Sequence, residues 1–147
     1  MQRSDLSTSI DRIVEWIDSS RRVLIGAGAG LSVAAGLDYT DEGSFARHYP
    51  GLRRRGFRAC YELIGRHDLP ASVFWGYWAV HVKLARFTPL VAPVYQALRR
   101  LTANKDVFVM TSNVEGLFTR HEFDADRVWC DFNAGRLGNS KLPAHDR

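Results

Sequence analysis

The sequence predicts an α/β fold in which a partial doubly wound parallel sheet of about three strands is flanked by helices. Three apolar runs predict the strands. The first begins at Arg22 and passes into alternating glycines, and the second, Asp106–Thr111, is continuous and bounded by polar residues. Such a run is typical of a central strand in a parallel sheet that is covered on both faces. A shorter run from Arg127 to Cys130 predicts one further strand.

The helices in the first part of the chain follow from apolar spacing and from turn residues. Ile10, Ile13 and Ile17 recur at helical spacing before a serine pair, which predicts an amphipathic helix that precedes the first strand. Small residues predict a second helix directly after the glycines. A short helix from Phe45 to His48 is expected to end at Tyr49-Pro50-Gly51.

The region between the two main strands contains one weak pattern and two strong ones. Arg53 to Pro70 is predicted to be irregular, with a short helix near Tyr61 to Arg66. Ala71 to Phe87 is apolar on several faces, which predicts a mostly buried helix capped by Ser72. Its aromatic residues are interpreted as core rather than as a platform on which a base stacks. Pro89 and Pro93 then open a further helix, which is expected to end near Asn104.

Length and composition bound the class of protein. A chain of 147 residues that is 46% hydrophobic can bury one substantial core, so residues 1–147 are predicted to form a single domain. The polar segment from Met1 to Ser9 lacks the apolar core of a secretion signal, and no later run reaches the length of a membrane span. We therefore expect a soluble, cytoplasmic protein without a membrane partner.

Charge and cysteine content exclude further classes. The net charge is +4, and the basic excess is concentrated from Arg53 to Arg58. This cluster lacks regularly interleaved aromatic residues, so it is interpreted as solvated surface and not as a nucleic-acid interface. Cys60 and Cys130 are the only cysteines, which excludes a disulfide framework and a four-thiolate zinc site. Both are expected to be small buried hydrophobes.

The glycines after the first strand are the strongest functional signal. Gly28 and Gly30 let the chain turn tightly and let a phosphate approach the backbone, and Ser32 adds a nearby hydroxyl. A structural turn that packs a helix on the sheet would give the same spacing. No P-loop lysine follows, and the Gly-x-Gly-x-x-Gly pattern is not met, so the signal is dinucleotide-like but non-standard. The polar loop from Leu37 to Gly43 is long enough to fold over a ligand.

A second polar cluster, Thr111-Ser112-Asn113-Val114-Glu115, follows the second main strand. In open α/β sheets, ligands bind beyond the carboxyl ends of the strands, and both polar clusters are predicted to lie at such ends. We therefore expect the two clusters to share one site. His121 could be considered as a catalytic base, but a helix that begins near Val114 would carry it away from this site, so that role is not favoured.

Together, Gly28-Ala29-Gly30-Leu31-Ser32 and Thr111-Ser112-Asn113-Val114-Glu115 resemble two motifs of the sirtuin family. Sirtuins carry a Gly-Ala-Gly-x-Ser segment that opens the NAD site and a Thr-Gln-Asn-x-Asp segment that reaches the nicotinamide ribose. The loop at Leu37-Asp38-Tyr39 and the segment from Val94 to Leu98 look like the branch of sirtuins associated with macrodomains and protein ADP-ribosylation. The likeness covers about Arg22 to Val128, the first half of the family's NAD-binding domain of Rossmann-like fold.

The resemblance implies NAD as the cofactor and assigns residues to it. It places Asn113 and Glu115 at the reacting ribose as catalytic residues, with Glu115 where the family has Asp. The base that the family carries further on has no counterpart, and Asn133 is the nearest polar residue. The residues from Gly138 to His145 contain no cysteine, so the family's zinc module and a metal site are expected to be absent. The implied cofactor-binding residues are Gly28, Ala29, Gly30, Ser32, Gly36, Asp38, Tyr39, Thr111, Ser112, Asn113 and Glu115.

Three functions stay open at this point. The first is NAD-dependent modification of a protein substrate, by ADP-ribosyl transfer or lysine deacylation with release of nicotinamide. The second is a truncated, non-catalytic pseudoenzyme with a weakened nucleotide site or an interaction role only. An unrelated nucleotide-dependent oxidoreductase ranks last, because Arg53 to Arg58 stands where an acidic ribose ligand is expected. The uncovered edge of a half sheet also predicts self-association.

Overall fold

The computed structural model describes residues 3–130, with side chains from residue 7 onward, as two compact units. Among the described residues, the sheet unit joins residues 3–28 with residues 95–130, and the helical unit comprises Ala29–Val94. The elements are α1 (Arg3–Ser19), β1 (Arg22–Ala27), α2 (Ala29–Ala34), α3 (Glu42–His48), α4 (Pro50–Arg53), a 3-10 turn (Cys60–Glu62), α5 (Ala71–Val82) with a π-helical continuation (Lys83–Phe87), α6 (Pro93–Leu101), β2 (Asp106–Thr111), α7 (Leu117–Arg120), a second 3-10 turn (Ala125–Arg127) and β3 (Val128–Cys130).

The sheet contains three parallel strands in the order β1-β2-β3. This confirms the predicted α/β class and all three strands, although β3 begins one residue later than expected. Thr111 at the end of β2 is in register with Ala27 at the end of β1 and with Cys130 at the end of β3. The carboxyl ends of all three strands therefore lie along one edge of the sheet.

The two faces of the sheet differ in burial. Val109 and Thr111 on one face of β2 are buried, as expected of a central strand. On the other face, Leu24 of β1 is 64% exposed and Met110 of β2 is 44% exposed. The expectation that both faces of the central strand are covered is therefore wrong for this face.

The core of the sheet unit includes a cluster of aromatic rings on α6 and around α7. The Tyr95 ring meets the Phe118 ring edge to face at 4.9 Å and stacks on the His121 ring at 5.4 Å. Phe123 meets Phe118 edge to face at 5.1 Å. Because Tyr95, Phe118 and Phe123 are buried, these contacts fix α6 against the segment that follows β2.

The core of the helical unit is formed by Phe45, Tyr49, Leu63 and Tyr77. The α3 helix begins at a good cap, since an Asp41 carboxylate oxygen accepts hydrogen bonds from the N–H groups of Gly43 and Ser44. The α3 helix begins at Glu42, three residues before the predicted start, and ends at His48 as predicted. A further short helix, α4, begins at Pro50, because proline suits the first turn of a helix.

The α5 helix differs from its prediction at its start and in its burial. Its N-cap is Pro70 and not Ser72, because Pro70 has an extended backbone and the helix begins at the next residue, Ala71. Tyr77 is buried, but Trp75 is 68% exposed and Phe87 in the π-helical continuation is 75% exposed. The helix therefore has a buried side and an open apolar side. No helix among residues 3–130 is long and apolar enough to cross a membrane.

Candidate functional site

The ends of β1 and β2 meet at a polar corner of the sheet unit. The Asn113 side-chain Nδ2 donates a hydrogen bond to the Gly28 carbonyl over 2.9 Å, and the Ser112 N–H donates to the Ala27 carbonyl over 3.2 Å. A Cβ atom at Gly28 would lie 3.7 Å from the Ser112 hydroxyl oxygen, which is an ordinary contact. The structure thus brings together Gly28, Ser112 and Asn113 from the two predicted motifs.

Asn113 is held at three points. Besides the bond from its side chain to Gly28, its backbone N–H donates to the Thr111 hydroxyl over 3.0 Å, and its carbonyl accepts from the Cys130 thiol over 3.2 Å. Because the Gly28 carbonyl can only accept, the atom that faces it must be the amide nitrogen. Among residues 3–130, no group donates a hydrogen bond to the Asn113 Oδ1 atom.

Glu115 lies deeper, inside the core of the sheet unit. Its side chain is 1% exposed, and its Oε1 accepts a hydrogen bond from the Tyr95 hydroxyl over 3.1 Å. A carboxylate at this depth needs such partners, because an unpaired buried charge is costly. The prediction that Glu115 is a catalytic residue at the reacting ribose stays a prediction, and the structure adds Tyr95 as a hydrogen-bond partner of its side chain.

The remaining predicted cofactor residues belong to the helical unit. Ser32 is buried within α2, and the first turn of this helix also contains Ala29 and Gly30. Gly36 has a φ of +93°, a left-handed conformation that suits glycine and ends the turn after α2. Hydrogen bonds from the Thr40 hydroxyl and from the Thr40 N–H hold the pKa of Asp38 below its ordinary value.

Tyr39 is tied to the interior of the helical unit. Its ring centroid lies 5.0 Å from that of His81, and its carbonyl accepts a hydrogen bond from the Tyr61 N–H over 3.1 Å. The Tyr77 hydroxyl lies 3.2 Å from the His81 Nδ1 atom. Burial lowers the pKa of His81, so its ring is neutral near pH 7. These contacts anchor the predicted cofactor loop at Tyr39.

Two further residues of the sheet unit are now located. The α7 helix begins at Leu117 and not near Val114, because Gly116 has a left-handed φ of +69°. The His121 Nδ1 atom lies 2.8 Å from the Leu117 carbonyl, and the ring stacks on Tyr95, so this histidine packs within the sheet unit. Cys130 is half-buried, and its thiol contacts Asn113 at the corner. The sequence did not predict this contact.

Some predicted features lie outside the described residues. Asn133 and the segment from Gly138 to His145 lie outside residues 3–130. Within that range, no group of three or more His, Cys, Asp or Glu side chains is arranged to hold a metal ion. Arg53, Arg54, Arg55 and Arg58 are exposed, as predicted, and the Arg58 guanidinium pairs with Glu42 over 2.9 Å.

The fold and the corner define an α/β chain with polar groups at the carboxyl edge of a parallel sheet, where such proteins bind ligands. No protein-family model matches the chain. It is 41% identical over 118 residues to a "Probable bifunctional ADP-ribose hydrolase/ADP-ribosyltransferase" of Fusarium oxysporum f. sp. cubense, a match that covers 78% of this chain and 19% of that protein. It is 28% identical over 116 residues to a "Protein ADP-ribosyltransferase" of Staphylococcus aureus, covering 77% of this chain and 36% of that protein.

The chain thus spans about a fifth of the length of the first relative and about a third of the second. Within that part, the similarity shows a relationship to proteins named ADP-ribosyltransferases. It supports the part of the sequence interpretation that concerns ADP-ribosylation.

Proposed function

We propose that this chain is the NAD-binding part of a sirtuin-like protein ADP-ribosyltransferase. The observation that carries the proposal is the hydrogen bond from the Asn113 side chain to the Gly28 carbonyl. It joins the two motifs that resemble sirtuin NAD motifs at the carboxyl edge of adjacent parallel strands. The names of the two relatives support ADP-ribosyl transfer as the reaction, and that reaction consumes NAD.

The chemistry assigns a binding role to the corner. In ADP-ribosyl transfer, the bond from the ribose to nicotinamide breaks, and a protein nucleophile forms the new bond to the same ribose carbon and gives up its proton. The Asn113 Oδ1 atom can accept a hydrogen bond from a ribose hydroxyl, because Nδ2 is already committed to Gly28. Asn113 has no acidic proton, so it orients the ribose and does not act as the base.

In this proposal, the chain at Gly28 binds the pyrophosphate of NAD. The sequence resemblance to sirtuins also assigns Gly30, Ser32, Asp38 and Tyr39 to the cofactor. Lysine deacylation by the same site is the less favoured reaction, since neither relative bears that name. The pseudoenzyme remains the second candidate function. The pseudoenzyme function is favoured by the burial of Glu115 against Tyr95. The corner then offers a ligand the Asn113 side-chain amide, while the Glu115 side chain lies in the core.

A calorimetric titration with NAD tests the proposal. We expect the wild-type chain to bind NAD saturably. Binding should be about fivefold weaker in Asn113→Ala, because one hydrogen bond between uncharged groups contributes about 1 kcal/mol. Asn104→Ala is the matched control, since Asn104 is an exposed asparagine in the turn before β2. The absence of binding by a folded wild-type chain, or equal affinity in both variants, would overturn the proposal.

Nicotinamide release separates the two candidate functions. An active transferase releases nicotinamide from NAD in the presence of an acceptor protein, and Asn113→Ala should slow that release. A pseudoenzyme binds NAD without releasing nicotinamide at a rate above that of the buffer alone. Chromatographic detection of free nicotinamide distinguishes these outcomes for the same preparation.

A further inference from the structure

The ends of all three strands are connected through one residue of the corner. Asn113 contacts β1 through Gly28 and contacts β3 through the Cys130 thiol, which donates to the Asn113 carbonyl over 3.2 Å. Seventeen residues separate Cys130 from Asn113 in the chain, so no local pattern relates them. Their proximity follows from the register, in which Cys130 pairs with Thr111.

We propose that Cys130 is a positioning residue that holds the Asn113 peptide in the orientation required for NAD binding. This inference rests on the proposed function. The β2 strand ends at Thr111, so the Asn113 carbonyl lies beyond the hydrogen-bond ladder of the sheet. The ladder therefore cannot fix this carbonyl, and the Cys130 thiol supplies the bond that does so.

Cys130 itself is well placed to act as a fixed support. It is the last residue of β3, and its backbone is paired with Thr111 of the central strand. Its side chain is half-buried, so the thiol is partly shielded from water that would compete for the carbonyl. A thiol is a weak donor, so the expected contribution is modest and lies in orientation more than in binding energy.

The important property of the side chain at position 130 is then its ability to donate a hydrogen bond, and not its volume. Cys130→Val keeps an apolar side chain of similar size and cannot donate a hydrogen bond. Cys130→Ser keeps a hydroxyl donor in the same position. We expect Cys130→Val to weaken NAD binding about threefold to tenfold, the range set by one modest hydrogen bond, and Cys130→Ser to stay within about twofold of wild type.

The experiment measures NAD affinity by calorimetry and the Asn113 side-chain amide by ¹⁵N NMR in the complete chain. The Asn113 amide resonances should shift in Cys130→Val and stay near their wild-type positions in Cys130→Ser, while the Asn104 amide serves as an internal control. Thermal melting confirms that each variant is folded. Equal weakening of NAD binding by both substitutions would overturn the inference, because it would show that side-chain volume decides the effect.

The NMR measurement also separates this inference from the proposed function. If the wild-type chain does not bind NAD, the proposed function fails, and the Asn113 amide still reports whether Cys130 positions it. Faster exchange of the Asn113 amide protons with solvent in Cys130→Val than in Cys130→Ser would support the positioning role. Unchanged resonances and exchange in both variants would refute that role.

Discussion

Removing the Tyr95 hydroxyl tests how the buried carboxylate of Glu115 is maintained. Tyr95→Phe deletes the donor that lies 3.1 Å from the Glu115 Oε1 atom and keeps the ring that packs on Phe118 and His121. Both side chains are almost fully buried, so water cannot replace the donor. A hydrogen bond to a charged group contributes about 1.5–3 kcal/mol, and the loss of packing is small because the ring remains.

We therefore expect Tyr95→Phe to lower the free energy of unfolding by about 1.5–3 kcal/mol in urea denaturation followed by circular dichroism. Tyr61→Phe is the control, because Tyr61 is 71% exposed and its hydroxyl is open to solvent. A double-mutant cycle with Glu115→Gln should show that the two changes are coupled. A Tyr95→Phe variant as stable as Tyr61→Phe would refute the reasoning.

Three further predictions concern stability and association. Gly36→Ala should destabilise the chain by about 1 kcal/mol in thermal melting because its φ is +93°, whereas Gly51→Ala, in α4 with open space around it, should be neutral or better. The pKa of His81 is lowered from 6.5 by burial, so folding favours its neutral form and the free energy of unfolding should fall as the pH drops below about 6.5. His81→Gln should flatten that pH dependence, and His67→Gln, at an exposed position, should leave it unchanged in urea titrations at pH 7 and 5. We also propose self-association through the uncovered edge of the sheet at β1, where Leu24 is 64% exposed, and Leu24→Lys should reduce it in sedimentation velocity at matched concentration.

The strands could be predicted because their signal is local. A buried parallel strand must be apolar over its whole length, and β2 has the predicted bounds, Asp106–Thr111. The cap of α5 could not be predicted in the same way. Ser72 has the side chain preferred at a cap, but Pro70 has an extended backbone with a ψ of 141° and starts the helix one residue before Ser72.

The contacts at the corner could be predicted only in part. Ligands bind beyond the carboxyl ends of parallel strands, so the sequence predicted that Gly28 and Asn113 lie close together. The hydrogen bond between them shows that they do. The contacts of Cys130 with Asn113 and of Tyr95 with Glu115 span 17 and 20 residues. They depend on strand register and on the packing of α6, which no periodicity in the sequence encodes.

We propose that the corner is a ligand site and not only a structural brace because of the hydrogen bonds that Asn113 makes. A brace between β1 and β2 needs only the Nδ2 bond to Gly28, and a serine or a water molecule could supply a similar link. The corner instead fixes the Asn113 peptide through Thr111 and Cys130 as well, while Oδ1 accepts no bond from residues 3–130. Fixing both sides of a peptide reduces the entropy lost when a ligand binds its side chain. This arrangement therefore favours a preorganised acceptor for a ribose hydroxyl over a purely structural turn.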